Sequence, residues 1–112
     1  MSTYKQLFDL EGKVAVVTGA LGILGRKFCE GLAESGAHIV IVDLDPDECR
    51  TFAEQLERNY GISSLAVDCD VSKPTQVADM FRLVEKKFGE IHILLNNAAS
   101  KTNNKHAFYA PV

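Results

Sequence analysis

A chain of 112 residues, 46% hydrophobic and 24% charged, has the size and balance of one globular core, which excludes disordered, fibrous and membrane-embedded classes. A formal charge of −3 leaves no basic stripe to neutralise phosphates, so nucleic acid is not an expected partner. The N-terminal run MSTYKQLFDLEGK has neither the cationic start nor the apolar core of a secretory signal, and no apolar stretch approaches the ~20 residues that cross a bilayer. The expectation is a cytoplasmic protein without a membrane partner.

In chain order, Lys13-Val14-Ala15-Val16-Val17 is a β-branched run without alternation, as in a parallel strand buried on both faces. A glycine-rich turn follows. From about Leu24 to Ser35 the apolar residues Leu24, Phe28, Leu32 and Ala33 recur at helical spacing, and Gly36 stands where a left-handed C-cap is wanted. A second strand is expected from His38 to Val42. Asp45 then caps a helix that has Pro46 at its first position, runs to about Asn59 and ends at Gly61. Ser64 to Val67 reads as a third strand. Ser72 is expected to cap a third helix, with Val77, Met80, Phe81, Val84 and Phe88 as its buried stripe and Gly89 as its stop. Ile91 to Leu95 is a fourth strand, apolar on both faces, and residues 101–112 read as loop.

Strands alternating with helices imply right-handed βαβ crossovers that cover both faces of a parallel sheet. The expected fold is therefore α/β, a partial Rossmann-type doubly wound sheet of four strands in the order 3-2-1-4 with three helices, and residues 1–112 form a single domain. Cys29, Cys49 and Cys69 are odd in number and far apart, so neither a disulfide framework nor a zinc site is expected. His38, His92 and His106 lack nearby ligand partners, and packing or surface roles are expected for them.

Thr18-Gly19-Ala20-Leu21-Gly22-Ile23-Leu24-Gly25 sits between a strand and a helix, the context in which a glycine turn binds a dinucleotide. Gly19 permits a tight turn, Gly22 lets the backbone approach a pyrophosphate, and Gly25 lets helix and sheet pack closely. The helix N-terminus would attract the phosphates through free N–H groups and the helix dipole. Asp43 ends the second strand about 20 residues beyond the turn, where a carboxylate accepts hydrogen bonds from the adenosine ribose. That placement favours NAD over NADP, because a 2′-phosphate would meet a like charge. A solvated carboxylate in the acidic run Asp43, Asp45, Asp47, Glu48 is the competing role. Asp70, with Val71, is placed at the close of the third strand to accept from the adenine amino group; Asp68, on the same face, competes for that role.

Together GKVAVVTG, the glycine turn, the Val-Asp pair ending at Asp43, CDVS at residues 69–72 and LLNNAA at residues 94–99 resemble the short-chain dehydrogenase/reductase family, from about Glu11 to Ser100. The resemblance implies dinucleotide contacts for Gly19, Leu21, Gly22, Leu24, Asp43, Asp70, Val71 and Asn97. Two departures stand out. The glycine spacing is TGxxGxxG where compact members of the family show TGxxxGxG, and Ala99 replaces a glycine, narrowing the space beside the cofactor. Gly22 lies where NADP-using members often carry a basic residue.

By the same resemblance, the family's proton-donating tyrosine belongs to a YxxxK helix following a fifth strand. Tyr4, Tyr60 and Tyr109 have no lysine four residues on, so no catalytic residue is expected here and the chain alone is expected to be inactive. A fifth strand would pair with Ile91–Leu95, and a bare edge there would promote self-association. The implied protein is a homo-oligomeric oxidoreductase acting on a small carbonyl or alcohol with NAD. The segment TNNKHAFYAPV faintly resembles oxidoreductases of bacterial surface-sugar and flagellin modification, which would imply a sugar-derived substrate. The competing function is a truncated, non-catalytic nucleotide-binding or interaction module.

Overall fold

The structure, a computed structural model, describes residues 9–98. They form the strands β1 (Val14–Thr18), β2 (His38–Asp43), β3 (Ser64–Asp68) and β4 (Ile93–Asn96), and the helices α1 (Ile23–Glu34), α2 (Pro46–Tyr60) and α3 (Pro74–Phe88). All strand pairs are parallel, in the order β3-β2-β1-β4, so the expected topology is the observed one.

Successive residues of β1 and β2 feed opposite layers. Ala15, Val17, Ile39 and Ile41 pack with Cys29, Ala33, Phe52 and Leu56 of α1 and α2, whereas Val14, Val16, Val40 and Val42 pack with Met80 and Val84 of α3. Two-sided burial is why these strands are unbroken β-branched runs. Within the expected stripe of α3, Met80 and Val84 are buried and Val77, Phe81 and Phe88 partly so.

Three expectations need correction. The buried face of α1 is Gly25, Cys29 and Ala33, while Leu24 and Phe28 are exposed. Close packing of Gly25 against the turn sets the helix's rotation, and residues one position earlier then point about 100° away. Ser72 does not cap α3; Lys73 occupies the N-cap without a side-chain bond, and the Ser72 hydroxyl donates to Asp70 Oδ1 at 2.6 Å instead. The strand expected over Ile91–Leu95 starts at Ile93 and, among the described residues, lies at the sheet edge with half-buried and exposed residues alternating, Leu94 being 55% exposed. The expected loop over 101–112, Ala99, His106, Tyr4 and Tyr109 lie outside the described residues.

Local chemistry explains the other boundaries. Asp45 Oδ1 accepts from the Asp47 and Glu48 amides and Pro46 opens α2, which ends at Gly61 with φ +71°. His38 and His92 each accept a backbone N–H through Nδ1, from Ser63 at 3.0 Å and Val14 at 2.9 Å, and so serve the N-terminal edge of the sheet.

All three cysteines are free and buried. Burial, with Glu30 nearby, pushes the Cys29 thiol up to about 12, and burial with Asp43 nearby pushes Cys49 up to about 11. Both thiols have raised folded-state values. Their contribution to stability is therefore complete below the unfolded value of about 9 and declines as pH rises through about 11 towards 12. Iodoacetamide at pH 8 is expected to leave Cys29 and Cys49 unmodified in the folded chain and to label both in urea, as read by mass spectrometry. Rapid native labelling of either would contradict this packing.

Candidate dinucleotide-binding cleft

A cleft of about 980 Å³ opens at the C-terminal ends of the strands, bounded by the turn after β1, the end of β2 and the segments after β3 and β4. That is the ligand-binding end of a parallel sheet whose strand order reverses. All eight residues assigned to the dinucleotide from the sequence line it.

The turn explains its glycines. Gly19 has φ +64°, and a Cβ there would meet the Ala98 Cα at 2.9 Å. A Cβ on Gly25 would lie 2.1 Å from the Gly19 carbonyl oxygen, so this glycine permits the contact between α1 and the turn. A Cβ on Gly22 would meet only ordinary contact, at 3.5 Å, which leaves that backbone open to the cleft. Gly22 is also the N-cap of α1, whose first turn has neither a side-chain cap nor an acidic residue. Its leading N–H groups therefore remain available to an anion, whereas α2 is capped by Asp45 and carries Asp47 and Glu48 in its first turn.

Asp43 is fixed from both sides: Oδ2 accepts from the Leu21 amide at 2.9 Å and Oδ1 from the Leu44 amide at 2.8 Å. A carboxylate has about four lone-pair sites, so two remain for hydroxyl donors. Within the acidic run Asp45 also accepts two amides, but both serve the start of α2, whereas Asp43 joins the glycine turn to the end of β2. Asp70 lies beyond the end of β3, which closes at Asp68, and it lines the cleft while Asp68 does not. The hydroxyl and amide of Ser72 hold the Asp70 carboxyl below its ordinary value. Carboxylates of Asp43, Asp45, Glu48 and Asp70 line the cleft, and among the described residues no lysine or arginine does.

Thr18 and Arg26 were not singled out by sequence. The Thr18 hydroxyl donates to Asn96 Oδ1 at 3.0 Å and accepts from the Asn97 and Ala98 amides at 3.0 and 3.1 Å, while Asn97 Nδ2 donates to the Gly19 carbonyl at 3.3 Å. One buried hydroxyl thus joins the ends of β1 and β4 beneath the glycine turn. Arg26 Nε donates to the Leu21 carbonyl at 3.0 Å. A polar residue at the end of an apolar strand was the available signal for Thr18; Arg26 carried none, because its partners lie on other elements.

Thr18→Val removes the hydroxyl and leaves the Asn96 oxygen and two amides without it. A loss of about 1–3 kcal/mol in urea unfolding is expected, with Thr18→Ser close to wild type. Equal stability of the valine and serine variants would contradict the role given to this hydroxyl.

A sequence profile of the short chain dehydrogenase family matches residues 13–110. The chain belongs to that family. It is 38% identical over 98 residues to a sorbose reductase of Candida albicans, covering 87% of this chain and 34% of the relative. It is 40% identical over 93 residues to human 15-hydroxyprostaglandin dehydrogenase [NAD(+)], covering 80% of this chain and 34% of the relative. The solved L-sorbose reductase of Gluconobacter frateurii, complexed with NADPH and L-sorbose, superposes with a TM-score of 0.81 at 37% identity, over 88% of this chain and 37% of that one. This short-chain dehydrogenase chain spans about a third of the length of these relatives. It is thus homologous to the cofactor-binding portion of an NAD(P)-using oxidoreductase family. Among the described residues no helix is long and apolar enough to cross a membrane, and no three metal-ligating side chains cluster.

Proposed function

We propose that the chain is the cofactor-binding part of an NAD-preferring oxidoreductase that moves hydride between the nicotinamide ring and a small carbonyl or alcohol. Bound NAD would supply the hydride chemistry; the protein supplies position and electrostatics. Gly22 and the start of α1 hold the pyrophosphate, Asp43 accepts from the adenosine ribose hydroxyls, and Asp70 with Val71 borders the adenine. Asn97, anchored to the turn, lies at the β4 end of the cleft.

The observation that carries the NAD preference is Asp43, bonded to two backbone amides in a cleft lined by carboxylates and, among the described residues, by no basic side chain. The relatives divide, one bearing NAD(+) in its name and another solved with NADPH, so the preference rests on this chain's own residues. Sorbose reductases among the relatives support a polyhydroxylated, sugar-like substrate for the whole protein. Neither Tyr4 nor Tyr60 is followed by lysine four residues on, and these 112 residues alone are expected to bind cofactor without turnover.

Calorimetric titration of the chain with NADH and NADPH tests the reading. Saturable binding of NADH, at least about tenfold tighter than NADPH and hence about 1.4 kcal/mol apart, is expected. Tighter binding of NADPH would overturn the preference, and binding of neither would overturn the cofactor role.

A further inference from the structure

Arg26 and Glu48 form a pair beside Asp43 that neither the glycine turn nor the strand end accounts for. Arg26, in the first turn of α1, is held three ways. Its Nε donates to the Leu21 carbonyl at 3.0 Å, its guanidinium carbon lies 4.8 Å over the Phe52 ring, and a terminal nitrogen is 3.6 Å from Glu48 Oε2. The amide of the same Leu21 donates to Asp43 Oδ2 at 2.9 Å. A guanidinium and the ribose-binding carboxylate therefore grip opposite ends of one residue. Glu48 lines the cleft and Arg26 does not.

The geometry points to Glu48 as a second specificity residue for the adenosine end of the dinucleotide, acting by keeping Arg26 paired and turned away from a ribose 2′-phosphate. The inference deepens the function proposed above and rests on the adenosine ribose lying at Asp43. An arginine is the side chain best shaped to take a phosphate in two parallel hydrogen bonds. Here its Nε is committed to a backbone carbonyl and its face to an aromatic ring, which leaves the terminal nitrogens as the groups able to reach an anion. Glu48 engages one of them. With Glu48 paired to Arg26, no free cation among the described residues of the cleft stands beside Asp43 to offset its repulsion of a 2′-phosphate. Without that charge, the Leu21 and Phe52 anchors still hold Arg26 behind Leu21 and Glu48, which line the cleft, with its terminal nitrogens unpaired. The pair is exposed, its side chains 36% and 61% accessible, so its loss costs the fold little and leaves the role testable.

Adenosine 5′-diphosphate and adenosine 2′,5′-diphosphate probe this end alone. The full chain is titrated calorimetrically with each, as wild type, Glu48→Gln, Arg26→Met and the double variant, with circular dichroism as the check on folding. Wild type is expected to favour the 5′-diphosphate. Glu48→Gln is expected to leave that affinity within about twofold while tightening the 2′,5′-diphosphate at least about fivefold, equivalent to about 1 kcal/mol. The gain should vanish in the double variant, the mark of coupling between the two residues; Arg26→Gln repeats the test should Arg26→Met not fold. A Glu48→Gln variant that moves both ligands equally, or neither, overturns the role of Glu48. A gain that survives loss of Arg26 overturns it too, since removing one negative charge would then suffice. Wild type that binds neither ligand sinks the cofactor reading itself, whereas preference for the 5′-diphosphate with a silent Glu48→Gln sinks this inference alone.

Discussion

Gly25→Ala is expected to collapse the cleft and to remove much of the stability of the fold. The added Cβ would stand 2.1 Å from the Gly19 carbonyl oxygen and 2.8 Å from the Ala20 Cα, both backbone atoms at the end of the central strand. Neither swings aside as a flexible side chain does. Relief requires α1 to lift from the sheet, which opens the contact of Cys29 and Ala33 with the core and misplaces the helix N-terminus proposed to hold the pyrophosphate. Overpacking of this kind costs about 1–3 kcal/mol and sometimes more, a large share of the roughly 5–15 kcal/mol that holds a domain together. Urea unfolding should show the lower midpoint, and titration should show no saturable NADH binding. Gly31, on the same helix, is the control: it is exposed and a Cβ there would meet nothing within 4 Å. Gly31→Ala is expected to stabilise by about 0.5–1 kcal/mol. Similar stability for the two variants would contradict the close packing of α1 on the turn.

Asp43→Asn is expected to erase the discrimination between NADH and NADPH. A unit charge pair about 4 Å apart repels by about 4 kcal/mol at an effective dielectric near 20, before solvent screening reduces it. A surviving third of that corresponds to about a tenfold affinity difference. Asparagine keeps one acceptor for the Leu21 or Leu44 amide, so the local backbone has reason to hold while the charge goes. The expected result is tighter NADPH binding with NADH weakened by the lost ribose bonds; parallel weakening of both would mean that Asp43 serves the backbone and not cofactor choice.

Topology was legible because its signals are local and repeated: unbroken β-branched runs, Pro46 after a capping aspartate, and glycines at helix ends. Rotation of α1 was not, since Leu24 and Phe28 look like a better apolar face than Gly25, Cys29 and Ala33 until the Gly19 carbonyl is seen against Gly25. The same limit hid the Ser72 result, where a hydroxyl suited to capping is taken by Asp70 two residues earlier. Within the cleft, strand ends and glycines located the backbone and the acidic residue that ends β2, because each follows from chain position. Thr18, Arg26 and Glu48 act through partners distant in sequence, Thr18 across the sheet to Asn96 and Arg26 between α1 and α2. Periodicity carries no trace of such pairs.

The central claim is that the C-terminal end of this sheet is a dinucleotide site, and amide-resolved NMR titration of the chain with NADH tests it most directly. Shifts concentrated at the amides of Leu21, Gly22 and Leu24, at Asp43 and Leu44, and at Asp70, Val71 and Asn97 are the expected result. Shifts at the opposite end, around His38, Ser63 and His92, or no shifts at saturating NADH, would contradict it.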